Sequence, residues 1–259
     1  MEYNIFIFIL FSIILVSSVN GKKGRRANPC KRKNVSNAIR PNKFDSLMLS
    51  VSWPPVVCIV AQKMNPKSGC NIRDDKQWTI HGLWPSSYTD WSPSFCNCSI
   101  KYNSTELAPM KIDLMTKWRN VMNNSEPESF WDYEWSKHGT CGITIDKLNS
   151  QYKYFKKTLE LYDKYNMTKI LDQANIHPGN NYTHKYIVEA VAKKIGKKIK
   201  INCHADLPYY FLSQVSICFD KSFNLTDCIQ NDLYPLSCPE ILDLENKIEY
   251  LDFKEIYSL

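Results

Sequence analysis

The stretch FWDYEWSKHGTC, residues 130–141, decides how this chain is interpreted. It interleaves aromatic rings with acidic and basic side chains and then ends in Gly-Thr-Cys. A core helix favours apolar residues and a surface helix favours charged ones. A segment that combines apolar and charged residues in this way is typical of a functional site.

If this segment is helical, Glu134, Lys137 and His138 stand at i, i+3 and i+4 and share one face. Gly139 then ends the helix, and Cys141 can crosslink that end to another element. A histidine beside a lysine and a carboxylate has the groups needed for acid–base chemistry on an anion. The neighbouring Trp131 and Trp135, like Trp53, are assigned to the core.

A second histidine occurs in IHGLWP, residues 80–85. The pattern predicts a strand over residues 78–81 that ends at Gly82, with Trp84 following His81 by three positions. One imidazole cannot easily serve as base for a nucleophile and as acid for a leaving group at once. His81 is therefore the candidate partner of His138.

The first 21 residues are predicted to be a secretory signal. Residues 5–16 form an unbroken apolar run that is too short to span a bilayer comfortably, and small residues follow it. An uncleaved anchor is the alternative. No later segment is long and apolar enough for a membrane span, so we expect a basic arm over residues 22–43, a single domain over residues 44–259 and secretion to the extracellular space.

Cysteine and sequon content favour an oxidising compartment. The chain has ten cysteines, and Asn-x-Ser/Thr occurs at seven positions. Asn97 lies between two cysteines and is left out, so glycosylation is predicted at Asn34, Asn103, Asn123, Asn166, Asn181 and Asn224. Cys96-x-Cys98 also suggests zinc, but ten cysteines on a secreted chain favour disulfides. No metal and no cofactor are expected.

The formal net charge is +7, and much of the excess lies in residues 22–33 and 193–200. Such clusters favour a polyanionic partner. A nuclear-localisation function for the first cluster conflicts with the signal peptide, and a solvated basic tail is the plain alternative.

Periodicity predicts an α+β domain. Residues 47–53 alternate as a strand that stops at Pro54-Pro55, and residues 199–203 and 215–219 alternate again. Helical spacing covers residues 110–122 and 148–162, and a third helix runs from the cap Thr183 to Gly196. We expect a mostly antiparallel sheet packed with several helices in one disulfide-crosslinked domain.

The two motifs resemble the active-site signatures of the T2-type ribonucleases, secreted endoribonucleases with an α+β fold. WPPVVC, residues 53–58, is similar to the family's early strand end, and NSQYKYFKKTLELY, residues 149–162, is similar to its long helix. The resemblance covers most of the chain after the signal.

By this resemblance His138 is the base that takes the 2′-hydroxyl proton, and His81 is the acid that protonates the departing 5′-oxygen. Lys137 and Glu134 stabilise the pentacoordinate phosphorus. The product is a 2′,3′-cyclic phosphate. DNA lacks the internal nucleophile, so the expected substrate is RNA, and the reaction needs no metal.

Substrate binding is expected at Trp84 and Phe130, which resemble base-stacking residues, and at Tyr133. The family commonly has a phosphate-binding histidine where this chain has Tyr133, so we expect weaker phosphate binding from the cleft edge. Ser86 stands where some members have an aspartate that contacts a base.

The resemblance also implies disulfide partners. It pairs Cys58 with Cys70, Cys203 with Cys238 and Cys218 with Cys228. Cys141 joins Cys96 or Cys98, and the remaining cysteine of that close pair is free to reach Cys30.

Two other classes of function compete with catalysis. One is a secreted glycoprotein that engages a receptor or glycan on target cells and uses the fold as a scaffold. The other is a basic nucleic-acid binder without activity. The complete set His81, Glu134, Lys137 and His138 favours the enzyme.

Overall fold

A seven-stranded sheet organises the domain. The structure is a computed structural model that describes residue 30 and residues 43–67, 69–73, 76–122, 126–206, 209–229, 238 and 247–254. The strands are β1 Ser46–Ser52, β2 Thr79–Ser86, β3 Asn180–Tyr182, β4 Lys200–Asp206, β5 Tyr209–Phe219, β6 Leu225–Thr226 and β7 Ile248–Tyr250. Their order is β2-β1-β5-β7-β3, and β4 and β6 also pair with β5. Only the β5–β7 pair is parallel among these strands, which confirms the α+β class.

Six α-helices lie in the described part of the chain: α1 Pro54–Met64, α2 Lys111–Lys117, α3 Pro127–Lys137, α4 Gln151–Lys164, α5 Met167–Gln173 and α6 His184–Ile195. Alternate residues of β1, namely Leu47, Leu49 and Val51, are buried in one core cluster with Tyr154 and Phe155 of α4. The period of two in the strand and of three to four in the helix places these apolar side chains on inward faces.

The segment after β1 differs from its prediction. The strand does stop before Pro54, but residues 53–58 begin helix α1 rather than closing a strand. Proline is well tolerated in the first helical turn because the amide hydrogen it lacks would have no partner there. Trp53 precedes the helix and donates its indole N–H to the carbonyl oxygen of Leu251 at 2.9 Å, which ties the helix start to the C-terminal part of the core.

Other helix predictions hold with shifted bounds. The helix predicted over residues 110–122 is a 3₁₀ helix at Ser104–Met110 followed by α2. In α4, Tyr154 is fully buried whereas Tyr152 lies outside the buried stripe. Helix α6 is confirmed, since the Thr183 side chain accepts from the Tyr186 amide and Gly196 adopts a left-handed φ of 79°.

The disulfide framework is confirmed, and the open alternative is resolved. The pairs are Cys30–Cys98, Cys58–Cys70, Cys96–Cys141, Cys203–Cys238 and Cys218–Cys228. Cys96–Cys141 fastens the long loop after β2 to the 3₁₀ turn Gly139–Cys141 that follows α3. The end of the segment FWDYEWSKHGTC is therefore covalently joined to the loop that follows the strand carrying IHGLWP.

We predict that a disulfide that closes a longer loop contributes more to the free energy of unfolding. Cys96 and Cys141 are 45 residues apart and Cys218 and Cys228 are 10 apart. Chain entropy predicts that replacing the first pair by serines lowers the free energy of unfolding by about 1 kcal/mol more than replacing the second. Urea unfolding of the two double variants measures this difference. Equal losses, or a larger loss for the short loop, would contradict it.

Candidate active site

A β-bulge presents His81. Strand β2 does not end at Gly82 as predicted but continues to Ser86. In its pairing with β1, Ser50 is opposite Gly82 and Val51 is opposite Ile80, so His81 is the extra residue. A bulge redirects a side chain relative to the regular pleat. The His81 Nδ1 atom lies 2.8 Å from the Oε1 atom of Gln214.

Gly82 is needed for close approach rather than for a turn. A Cβ added at Gly82 would overlap the Nε1 atom of Trp84 and the Oε2 atom of Glu134. The absence of a side chain therefore lets the carboxyl group of α3 reach the surface of β2. This explains the glycine beside the histidine without invoking the end of the strand.

Helix α3 is anchored by its tryptophans. The Trp131 indole N–H donates to the carbonyl oxygen of Trp118 at 2.7 Å, and Trp131 and Trp135 are both buried in the core as predicted. Glu134 is only 1% exposed. His138 caps the helix, with its amide donating to the carbonyl of Glu134 at 2.9 Å. The apolar side chains thus fix the polar ones at the C-terminal turn.

Trp84 connects the two motifs. Its indole N–H donates to Glu134 Oε2 at 2.9 Å. Its ring stacks on His138 with centroids 5.1 Å apart and an interplanar angle of 28°, and it meets His81 edge-on at 4.8 Å. Phe130 lies 6.1 Å from the His81 ring. Because one face of Trp84 packs against His138, this indole has a structural role in the site. Base stacking by Trp84 and Phe130 stays a prediction.

Tyr133 contacts the lysine of the site. The Lys137 Nζ atom lies 5.2 Å from the centroid of the Tyr133 ring, one helical turn away. The Phe95 ring meets Tyr133 edge-on at 6.0 Å, and the Phe95 amide donates to the carbonyl oxygen of Lys137. An ammonium held over an aromatic face is attracted by the ring. Tyr133 thereby positions Lys137, which follows it at i+4 on α3 and so lies on the same side of the helix.

Burial is the main influence on the pKa of Glu134. Removal from water raises the pKa of this carboxyl from 4.5 to about 7, and this outweighs the Trp84 hydrogen bond and the nearby Lys137 ammonium, which both lower it. At acidic pH Glu134 is therefore a neutral carboxylic acid that can donate a hydrogen bond.

Both histidines are held toward their neutral forms. Burial lowers the pKa of His138 well below 6.5, and the charges on Lys137 and His81 lower it further. The Nδ1 atom of His138 is buried without a hydrogen-bond partner in the described residues. Burial also lowers the pKa of His81, but the hydrogen bond to Gln214 opposes the shift. Of the two imidazoles, His81 is better able to keep a second proton.

The structure brings together His81, Glu134, Lys137 and His138, the four residues proposed for catalysis from the sequence. Sequence reasoning missed Gln214, which lies between Ser213 and Val215 in β5 and belongs to no motif. Across the described ranges, no three His, Cys, Asp or Glu side chains are grouped to hold a metal ion. None of the described helices has the length and apolar character to cross a membrane.

Comparison with known proteins assigns the chain to one protein family. The model of the Ribonuclease T2 family matches residues 44–228. Ribonuclease T2 of Danio rerio is 35% identical over 190 residues, which is 72% of this chain and 73% of the relative. Ribonuclease Oy of Magallana gigas is 34% identical over 196 residues, 72% of this chain and 88% of the relative. The crystal structure of human RNase T2 superimposes with a TM-score of 0.68 at 29% identity, covering 80% of this chain and 98% of that one.

The chain therefore belongs to the ribonuclease T2 family, and its class is that of the T2-type endoribonucleases.

We predict that Glu134→Gln stabilises the protein at high pH. A carboxyl with a raised pKa in the folded state costs stability above pH 7 and costs none below pH 4.5. Removing the charge should therefore raise the free energy of unfolding by up to roughly 3 kcal/mol at pH 8, with the gain vanishing near pH 4. Urea unfolding at both pH values measures this.

Glu126→Gln is the matched control, because Glu126 is exposed at the start of the same helix. It should change stability little at either pH. A Glu134→Gln variant that is less stable than the parent at pH 8 would show that the carboxylate is not penalised by its burial.

Proposed function

We propose that this protein is a secreted, glycosylated endoribonuclease that cleaves RNA by transesterification, with His138 as general base and His81 as general acid. The observation that carries the proposal is the packing of both imidazoles against Trp84. The buried Glu134 and the neighbouring Lys137 complete the arrangement. The family membership supports the same reaction class.

The reaction moves two protons. Neutral His138 removes the proton of the 2′-hydroxyl, and the 2′-oxygen attacks the adjacent phosphorus. The bond from phosphorus to the 5′-oxygen breaks as His81 donates its proton to that oxygen. The products are a 2′,3′-cyclic phosphate and a chain with a free 5′-hydroxyl. Because the Nδ1 atom of His138 is buried, Nε2 is the nitrogen that meets the 2′-hydroxyl in this proposal.

The electrostatics suit this division of roles. A base must be neutral before it acts, and the pKa of His138 is lowered well below 6.5 by burial. A general acid must be protonated, and the hydrogen bond to Gln214 raises the pKa of His81 against the lowering by burial. The combination of neutral His138 and protonated His81 is most populated between the pKa of His138 and the pKa of His81. Both of these values lie below 6.5. We therefore expect an acidic optimum.

Two further groups stabilise the pentacoordinate phosphorus. At acidic pH Glu134 is protonated, so it can donate to a non-bridging oxygen without repelling the phosphate. Lys137, held over the Tyr133 ring, supplies positive charge. Phe130, beside His81, and the half-buried Trp84 are the proposed contacts for bases.

Secretion is proposed from the signal at residues 1–21 and from five disulfides that include every cysteine. The signal and the basic arm of residues 22–43 lie outside the described residues, except for Cys30 and Lys43. Of the proposed glycosylation sites, Asn103, Asn181 and Asn224 are exposed, and Asn166 is half-buried at the cap of α5. Asn34 and Asn123 lie outside the described residues.

Incubation of the purified protein with RNA and with DNA in EDTA tests the proposal. Wild type should cleave RNA alone and leave 2′,3′-cyclic termini. His81→Ala and His138→Ala should each lower kcat/KM by about 10²–10⁴-fold, because each removes one proton transfer. Activity should fall as pH rises through the pKa of His81, below 6.5.

His177→Ala is the matched control. This histidine is paired with Asp172 at 3.3 Å on the surface, outside the site, and its loss should leave the rate unchanged. Cleavage that stops on chelation, or a near-normal rate in either active-site variant, would overturn the mechanism.

A further inference from the structure

His81 is held by side chains from two neighbouring strands. Its Nδ1 atom lies 2.8 Å from Oε1 of Gln214 on β5 and 3.4 Å from Oγ of Ser52 on β1. Ser52 and Gln214 are directly opposite each other in the antiparallel β1–β5 pair. Side chains that are opposite in a sheet lie on the same face. The sheet therefore supplies an acceptor at a defined place beside the bulged histidine.

The other end of the Gln214 amide faces two oxygen acceptors. Its Nε2 atom lies 3.5 Å from the Oδ1 atom of Asn202 and 3.5 Å from the hydroxyl of Ser216. The Ser216 hydroxyl is in turn 2.8 Å from the hydroxyl of Ser50 in the buried sheet. Because an amide nitrogen donates and an amide oxygen accepts, these contacts direct Oε1 rather than Nε2 toward His81.

We infer that Gln214 is the positioning residue of the general acid: it keeps a proton on Nδ1 of His81, so that the acidic proton is always on Nε2. The inference rests on the proposed function. An amide oxygen can only accept, so Nδ1 carries hydrogen in both the charged and the neutral ring. After His81 gives the Nε2 proton to the 5′-oxygen, the ring is left in the tautomer that Gln214 already holds, and it need not rotate.

The charged groups around His81 do not favour its protonated form, so this role falls to the hydrogen bond with Gln214. From α3, the Lys137 ammonium lowers the pKa of His81, and burial lowers it more. His138, beyond the end of α3, interacts electrostatically with His81, and Glu134 of α3, which accepts a hydrogen bond from Trp84, is the further titratable group of the site. Trp84 on β2, Phe130 on α3 and Ser52 on β1 carry no charge. The hydrogen bond that Nδ1–H of His81 donates to Oε1 of Gln214 is the contact that favours the protonated ring.

Two substitutions should move the pH profile in opposite directions. Gln214→Leu removes the acceptor, so kcat/KM should fall about 10–100-fold, the size of loss seen when the partner that orients a metal-bound histidine is removed. The fall should be mainly in kcat, and the alkaline limb of the profile should move to lower pH. Gln214→Glu keeps an acceptor and adds charge, so it should retain activity and move the limb to higher pH. Rate profiles for RNA cleavage measure both changes.

Gln173→Glu is the control for added charge, since Gln173 is exposed at the end of α5. It should leave the limb in place. A merely structural role for Gln214 would lower the rate of both variants without opposite shifts, and that result would overturn the inference. If Gln214→Leu does not fold, the shift in Gln214→Glu decides.

Nitrogen-15 NMR of the His81 ring tests the inference independently of activity. In wild type at neutral pH, Nδ1 should be protonated and Nε2 should be bare. The opposite tautomer would overturn the inference. Because this measurement needs no turnover, it distinguishes a failure of the role of Gln214 from a failure of the proposed ribonuclease reaction.

Discussion

The hydrogen bond from the Trp84 indole to the Glu134 carboxyl is the contact on which the site depends, because it joins strand β2 to helix α3. It forms only because Gly82 has no side chain between the two groups. The same indole then carries one imidazole on its face and the other at its edge. A change on either side of this bond would displace both histidines together.

Burial at this junction gives each titratable group its state. It raises the pKa of Glu134 to about 7 and lowers the pKa values of His81 and His138. All three groups are therefore held toward their neutral forms, which a buried position favours over charged ones. The hydrogen bond that His81 donates to the amide oxygen of Gln214 then makes the two imidazoles different, because it supports the proton on His81. The proposed acid and the proposed base thus differ in their surroundings and not in residue type.

The features that could be predicted from the sequence are those formed by residues that are close along the chain. Glu134 and His138 could be placed on one face because helical spacing is local, and the α6 caps followed from Thr183 and Gly196 for the same reason. Gln214 could not be found, because its contact with His81 spans 133 residues and depends on strand register. Helix α1 was missed because Pro-Pro ends a strand and starts a helix equally well. The bulge and the extension of β2 depend on pairing with β1, which no local pattern encodes.

Titration of the two ring signals by ¹H–¹³C NMR tests the central claim most directly. His81→Ala and His138→Ala assign the signals, and the parent protein supplies the midpoints. The account predicts that both midpoints lie below 6.5 and that His138 titrates at lower pH than His81. Within the part of the chain that the structure describes, His81 has an acceptor for its Nδ1 proton and His138 has none. A midpoint for His138 at or above that of His81 would reverse the roles of acid and base and contradict the account.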